Sequence, residues 1–179
     1  MDQFSRRGVL RNIMLLAGVA AIPHGAAHAL FDGPASLPPA TISLLSAVAD
    51  TIIPTTETPG AAEAGVPDRL QKMLANWATP KRRDEILGAL QKIDGAARTE
   101  AGSTFAALSP ADRLKTLKTF DTAHSGDPGY SKLKELVIQL YYLSEAGATV
   151  ELRYEHNPGA WEPSIPVTAE TRNYGGPGL

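Results

Sequence analysis

Proline marks the limits of the segments in this chain. Pro54, Pro67, Pro80 and Pro110 each stand at the edge of a stretch whose apolar residues recur at helical spacing. Proline is tolerated in a helix only in its first turn, so each one opens or stops a helix. The first segment begins near Pro38-Pro39 and runs to about Ile53, with Leu44, Leu45, Val48, Ala49 and Ile52 on one side, and Pro54 stops it. The second starts at Pro67 and carries Val66, Leu70, Met73, Leu74 and Trp77 as its apolar face. The third follows Thr79-Pro80 and places Ile86, Leu90, Ile93 and Ala97 on one stripe, with Lys81, Arg82, Arg83, Asp84 and Glu85 as a solvated face. Residues 99–108 read as a loop of small residues.

Ser109-Pro110-Ala111-Asp112 is a helix start: a serine cap, a proline in the first turn and an acid at the positive end of the dipole. Leu114, Leu117 and Phe120 are expected to face inward. Gly126-Asp127-Pro128-Gly129 breaks the chain again. The last helix, from Tyr130 to Ala146, is so apolar that it predicts burial on most sides, with Gly147 as its C-terminal cap. No core segment shows the two-residue alternation of a strand. The expected fold is all-α: a compact domain of about five helices with a long irregular C-terminal arm.

Two stretches fall outside the helical pattern. Pro54-Thr55-Thr56-Glu57-Thr58-Pro59-Gly60 is dense in fixed-φ and cap-forming residues, which favours an ordered loop over a flexible linker. Residues 151–179 are rich in proline and glycine and lack periodicity, yet contain Tyr154, Trp161 and Tyr174. Such a segment is either disordered or an arm that lies on another protein. Its aromatics favour the arm, with Tyr154, Pro158 and Trp161 as candidate partner-interface residues. The glycines from Gly175 onward read as a loose tail.

The first residues carry an address. Ser5-Arg6-Arg7-Gly8-Val9-Leu10-Arg11 precedes an apolar run from Ile13 to Ile22, and Ala27-His28-Ala29 follows. Paired arginines, a short apolar run and a small-x-small site make a twin-arginine export signal over residues 1–29, with Arg6 and Arg7 as the signal pair and cleavage between Ala29 and Leu30. The run is far shorter than the roughly 20 apolar residues that span a bilayer. The competing reading is an amphipathic N-terminal anchor. This leader assigns the protein to the periplasm, with residues 30–150 as the helical domain and 151–179 as the arm. Removing 1–29 from the 179 residues leaves 150, one domain by length. The formal charge moves from −2 to −4 as Arg6, Arg7, Arg11 and Asp2 leave.

Composition narrows the chemistry. There is no cysteine, which removes disulfides, thiolate zinc sites, iron–sulfur clusters and thioether-bound haem. After cleavage two histidines remain, His124 and His156, distant in sequence. No glycine-rich phosphate loop and no nucleophile elbow is present. No basic patch with interleaved aromatics points to nucleic acid. A route that exports folded, cofactor-loaded proteins thus carries a chain with no visible cofactor site. The simplest resolution is that a partner holds the cofactor and the two travel together.

Three groups of residues carry a resemblance: Asp50-Thr51-Ile52-Ile53-Pro54 with Thr58-Pro59-Gly60-Ala61 and Ala64-Gly65-Val66-Pro67; Tyr141-Tyr142-Leu143-Ser144-Glu145-Ala146-Gly147-Ala148; and Asn157-Pro158-Gly159-Ala160-Trp161. Together with the leader, they make the chain resemble the gluconate 2-dehydrogenase subunit 3 family, the small subunits of exported flavin-dependent sugar and polyol dehydrogenases. The resemblance implies a non-catalytic subunit with no cofactor of its own. It implies a GMC-type catalytic partner that carries FAD, and in some complexes a multihaem cytochrome c subunit with haem c. It also implies that the small subunit supports maturation of the flavoprotein and supplies its export through the twin-arginine translocase.

Two other readings compete. A periplasmic chaperone or adaptor would bind the same client only transiently. An enzyme in its own right would draw acid–base groups from Asp50, Glu57, Glu145, His124 and His156. Of these, Asp50 is expected to face solvent or cap the nearby turn. Glu145, at the unfavourable end of a helix dipole, is expected to pair with an arginine such as Arg153 or to bond to backbone of the arm.

Overall fold

The computed structural model describes residues 37–155, 157, 159, 164–169 and 171–175. The leader, with Arg6, Arg7, Ala29 and Leu30, lies outside the described residues. Five α-helices form the body: α1 (Pro39–Ile52), α2 (Val66–Asn76), α3 (Pro80–Ala101), α4 (Pro110–His124) and α5 (Pro128–Tyr142). Each has a proline in its first turn. Three of the helices are also capped by a side chain. Thr79 accepts from the Arg82 amide at 3.3 Å, Ser109 from Asp112 at 3.2 Å, and Asp127 from Gly129 at 2.9 Å and Tyr130 at 3.0 Å. These bonds satisfy amides that the first helical turn leaves without partners.

The all-α expectation holds. Helix α5 packs against α3, α2 and α1, and α4 closes the bundle against α3 and α1. The core contains Leu45, Val48, Leu70, Leu74, Ile86, Leu90, Ile93, Leu133, Val137 and Tyr141. Burying each such side chain favours folding by about 1.5–3 kcal/mol before entropy is counted. Backbone contact is close where α3 meets α5: a Cβ at Gly129 would stand 2.2 Å from the Glu85 carbonyl oxygen.

Several expectations need correction. Helix α3 does not stop before residue 99. It continues to Ala101, where Gly102, at φ 66°, takes the left-handed cap conformation. The following loop contains a 3-10 turn (Phe105–Ala107) that drives Phe105 into the core between α1 and α3. Its amide donates to Asp94 at 2.8 Å. Leu114 does not face inward. The buried stripe of α4 is Thr116, Leu117 and Phe120, and Leu114 lies off it.

Helix α5 is not buried on most sides either. Tyr130, Leu133, Val137 and Tyr141 face the core, whereas Ile138 is exposed. It ends at Tyr142 rather than Ala146, and Gly147 is not its cap. A π-turn (Ala146–Glu151) follows, in which buried Gly147 lies so close to the end of α5 that a Cβ would meet the Tyr141 carbonyl oxygen at 2.1 Å.

Beyond the turn the chain is irregular. Two residues of β1 (Arg153–Tyr154) pair in parallel with β2 (Tyr174–Gly175), with Arg153 opposite Tyr174 and Tyr154 opposite Gly175. The Arg153 amide also donates to the Asn173 carbonyl at 2.8 Å.

Candidate partner interface

Two of the motif groups singled out in the sequence, residues 50–67 and 141–148, meet in space. Pro54 ends α1, and the loop from 54 to 65 folds back on itself. The Ala61 amide donates to the Ile53 carbonyl at 2.9 Å, Thr56 to Thr58 at 3.0 Å, and Gly60 to the Thr55 hydroxyl at 3.2 Å. A Cβ at Gly60 would stand 2.6 Å from the Thr55 nitrogen and 3.0 Å from Asp50 Oδ1, so glycine is what lets this turn close beside α1. The loop is ordered, as its turn chemistry suggests. Tyr141 of α5 donates its hydroxyl to the Pro59 carbonyl at 2.8 Å, and Thr58 donates to Glu151 Oε2 at 2.9 Å. Ser144, also buried, bonds the Tyr141 carbonyl at 2.5 Å and accepts from the Gly147 amide at 3.1 Å. These motif residues are used to build the scaffold at the root of the arm.

A different set of residues faces outward. Arg69 near the start of α2 donates to the Leu143 carbonyl at 3.3 Å, which joins that end of α2 to the end of α5. Leu143 itself is 64% exposed, and Trp77, just past α2, is 86% exposed. The sequence places Trp77 on the apolar face of α2. The helix ends at Asn76, however, and Trp77 leaves helical geometry with φ −122° and ψ −30°. Val150, Ile165 and Val167 are exposed too. Single exposed apolar residues are ordinary, but an indole left almost wholly in water is not.

Of the residues expected to contact a partner, Tyr154 lies in β1 and is 44% exposed. Pro158 and Trp161 lie outside the described residues, as does His156. The candidate acid–base groups sit on separate elements. Asp50 belongs to α1 beside the Gly60 turn. Glu57 is exposed on the loop, where its own backbone amide and the Thr56 side chain hold its carboxyl below the usual carboxylate range. Glu145 is exposed, and its carbonyl accepts from the Thr149 hydroxyl at 2.7 Å. Arg153 forms an ion pair with Glu155. His124 stacks on Phe120 at 4.0 Å, with Nδ1 3.1 Å from the Phe120 carbonyl oxygen. Among the described residues no group of three or more histidines, aspartates or glutamates could hold a metal ion, and no helix is long and apolar enough to cross a membrane.

Three of the titratable groups with shifted pKa values, Asp121, Asp127 and Tyr130, lie where α3, α4 and α5 meet. Lys134 lies 2.6 Å from Asp121 and lowers its pKa, with help from Tyr130. Lys92 does the same for Asp127, which also accepts the cap bond from Tyr130. Burial, then the Asp121 carboxylate, push the Tyr130 phenol upward. Each shift has a partner within the helix bundle, so the cluster reads as structural.

Sequence reasoning missed the bond between Thr58 and Glu151. No local signal could have found it, since the partners are 93 residues apart and each has an ordinary polar side chain. The exposure of Trp77 depends on where α2 ends, which spacing leaves uncertain by a residue or two.

No curated protein and no solved structure matches the chain. The family model for gluconate 2-dehydrogenase subunit 3 matches residues 39–159, from the first residue of α1 through the π-turn and β1 into the arm. With two thirds of its length matched by that model, the chain belongs to the gluconate 2-dehydrogenase subunit 3 family, whose members are subunits of a dehydrogenase complex.

Proposed function

We propose that this protein is the non-catalytic small subunit of a periplasmic FAD-dependent sugar or polyol dehydrogenase, and that it supports maturation and export of the flavin-bearing subunit. The observation that carries this reading is one of order along the chain. A twin-arginine pattern at Arg6-Arg7 stands directly ahead of a domain of this dehydrogenase-subunit family that begins at residue 39. A flavin site is assembled before export, so the flavoprotein must cross the membrane folded. A companion bound to it can supply the address for both. In such a complex the partner holds FAD and oxidises the substrate, and in those complexes that have one, a haem c subunit passes the electrons on.

Binding has to outlast transit, which favours a broad interface. An arm beyond the helical body supplies area without enlarging the core. Exposed Tyr154, Trp77 and Leu143 support this reading, because aromatic and large apolar side chains often dominate binding energy. The test is cell fractionation after R6K/R7K substitution. Both this chain and the flavoprotein should remain in the cytoplasm, with dehydrogenase activity lost from the periplasm. A flavoprotein still exported at normal levels would refute the escort role.

A further inference from the structure

The loop from 54 to 65 and the end of α5 exchange two hydrogen bonds in opposite directions. The loop gives a donor, the Thr58 hydroxyl, and an acceptor, the Pro59 carbonyl. The other side gives an acceptor, Glu151, and a donor, the Tyr141 hydroxyl. Thr58 and Pro59 are neighbours, whereas Tyr141 precedes the π-turn Ala146–Glu151 and Glu151 is its last residue. The pair therefore clamps the turn from both ends. Within the clamp, Gly147 packs against the Tyr141 carbonyl, Ser144 bonds both Tyr141 and Gly147, and the Leu152 amide donates to Gly147 at 3.0 Å. The next residue, Arg153, opens β1.

We propose that Thr58 and Glu151 form a latch that fixes where and in which direction the C-terminal arm leaves the helical body, so that the arm meets the partner subunit already positioned. The second half of this statement rests on the proposed function. The first half concerns this chain alone. The physical basis is preorganisation. A segment that is ordered only on binding loses conformational freedom at that moment, and a root held in advance reduces the loss. The Thr58 hydroxyl is suited to the task. It sits on a buried residue in a loop closed by its own hydrogen bonds, and its acceptor is a carboxylate, which makes the bond stronger than a neutral one. Thr58 and Glu151 are thus positioning residues.

The experiment compares full-length T58V, T58S, E151A and the T58V/E151A double variant. In the isolated chain, amide exchange at Leu152 and Arg153 should rise about tenfold in T58V and E151A, while amides within α1 to α5 stay protected. T58S keeps the hydroxyl and should exchange like the wild type. The double variant should be no worse than either single one, because both remove the same bond. Unchanged exchange in T58V and E151A, or additive effects in the double variant, would overturn the latch without reference to any partner. E151A carries the test if T58V does not fold.

The same variants, bound to the co-purified flavoprotein, test the second half. T58V and E151A should dissociate about tenfold faster, and T58S should not. Faster exchange with unchanged dissociation would keep the latch and overturn its role in presenting the arm.

Discussion

From Pro39 to Tyr142 the chain folds around fully buried residues such as Leu45, Leu90, Ile93 and Leu133, and each of the five helices has a proline in its first turn. From residue 152 to residue 173 none of the described residues is buried, and the contacts among them include a two-residue strand pairing, an Arg153–Glu155 ion pair and a few hydrogen bonds. The two regions are stabilised by different things. The body gains from apolar burial, which any sequence with the right spacing can obtain. The described arm residues gain little from burial, and the clamp at the arm's root and, in the proposed complex, a partner would help to position them. The junction between them is where two of the motif groups meet, at Thr58-Pro59-Gly60 and Tyr141 to Gly147.

The largest expected contrast comes from damaging each region in turn. Leu90→Ala, at a fully buried site between helices, should cost about 2–5 kcal/mol in urea unfolding. Truncation after Leu152 should change the same midpoint by no more than about 1 kcal/mol, because it removes surface contacts and leaves the clamp intact. A truncated chain that unfolds would show that the arm contributes to the core. Next in size is the cap at α4. Ser109→Ala leaves the Asp112 amide without its partner and should cost about 1 kcal/mol.

Acid should also act on the body rather than the arm. Asp121 and Asp127 are held below the ordinary carboxylate range by Lys134 and Lys92. A lowered folded pKa means that the unfolded chain binds protons first. Their stabilising contribution is therefore complete above about pH 4 and fades as pH falls through the lower folded values. The urea midpoint should drop as pH falls below about 4, on the order of the effect of two exposed pairs, a small one. D121N/D127N should flatten that part of the profile. An unaltered slope in the double variant would show that these pairs contribute nothing measurable.

The smallest effect on stability is expected at Trp77, which belongs to the body by position and resembles the arm by exposure. Trp77→Ser should shift the unfolding midpoint by less than about 0.5 kcal/mol. If the indole contacts the partner, the same variant should weaken the complex, measured by its dissociation rate. A large loss of stability with no change in dissociation would assign Trp77 to the body after all.

Much of the body was legible because its determinants are local. Ser109-Pro110, Thr79-Pro80 and the spacing of Ile86, Leu90, Ile93 and Ala97 each specify a helix start or a buried stripe within one segment. Where the sequence reading failed, the reason was a contact that helical spacing does not record. Phe105 sits in a stretch of small polar and apolar residues, and only the gap between α1 and α3 makes it a core residue. Gly147 looks like a helix cap, but its role comes from the close return of the π-turn onto Tyr141. Leu114 and Ile138 fit a helical period equally well inside or outside, and the neighbouring helices decide which. The motif blocks pointed to the correct family without revealing that Thr58 reaches Glu151, since hydrogen bonds across the fold leave no spacing in the sequence.

The account turns on whether this chain is a lasting partner of a flavoprotein. The direct measurement is a native pull-down of the tagged full-length chain from periplasmic and membrane fractions, with subunit ratio, bound flavin and dye-linked dehydrogenase activity read on the same eluate. The account predicts a flavoprotein in fixed ratio, flavin absorbance and activity on a sugar or polyol. A chain that elutes alone and colourless would contradict it, and transient capture by a chaperone would then be the better description.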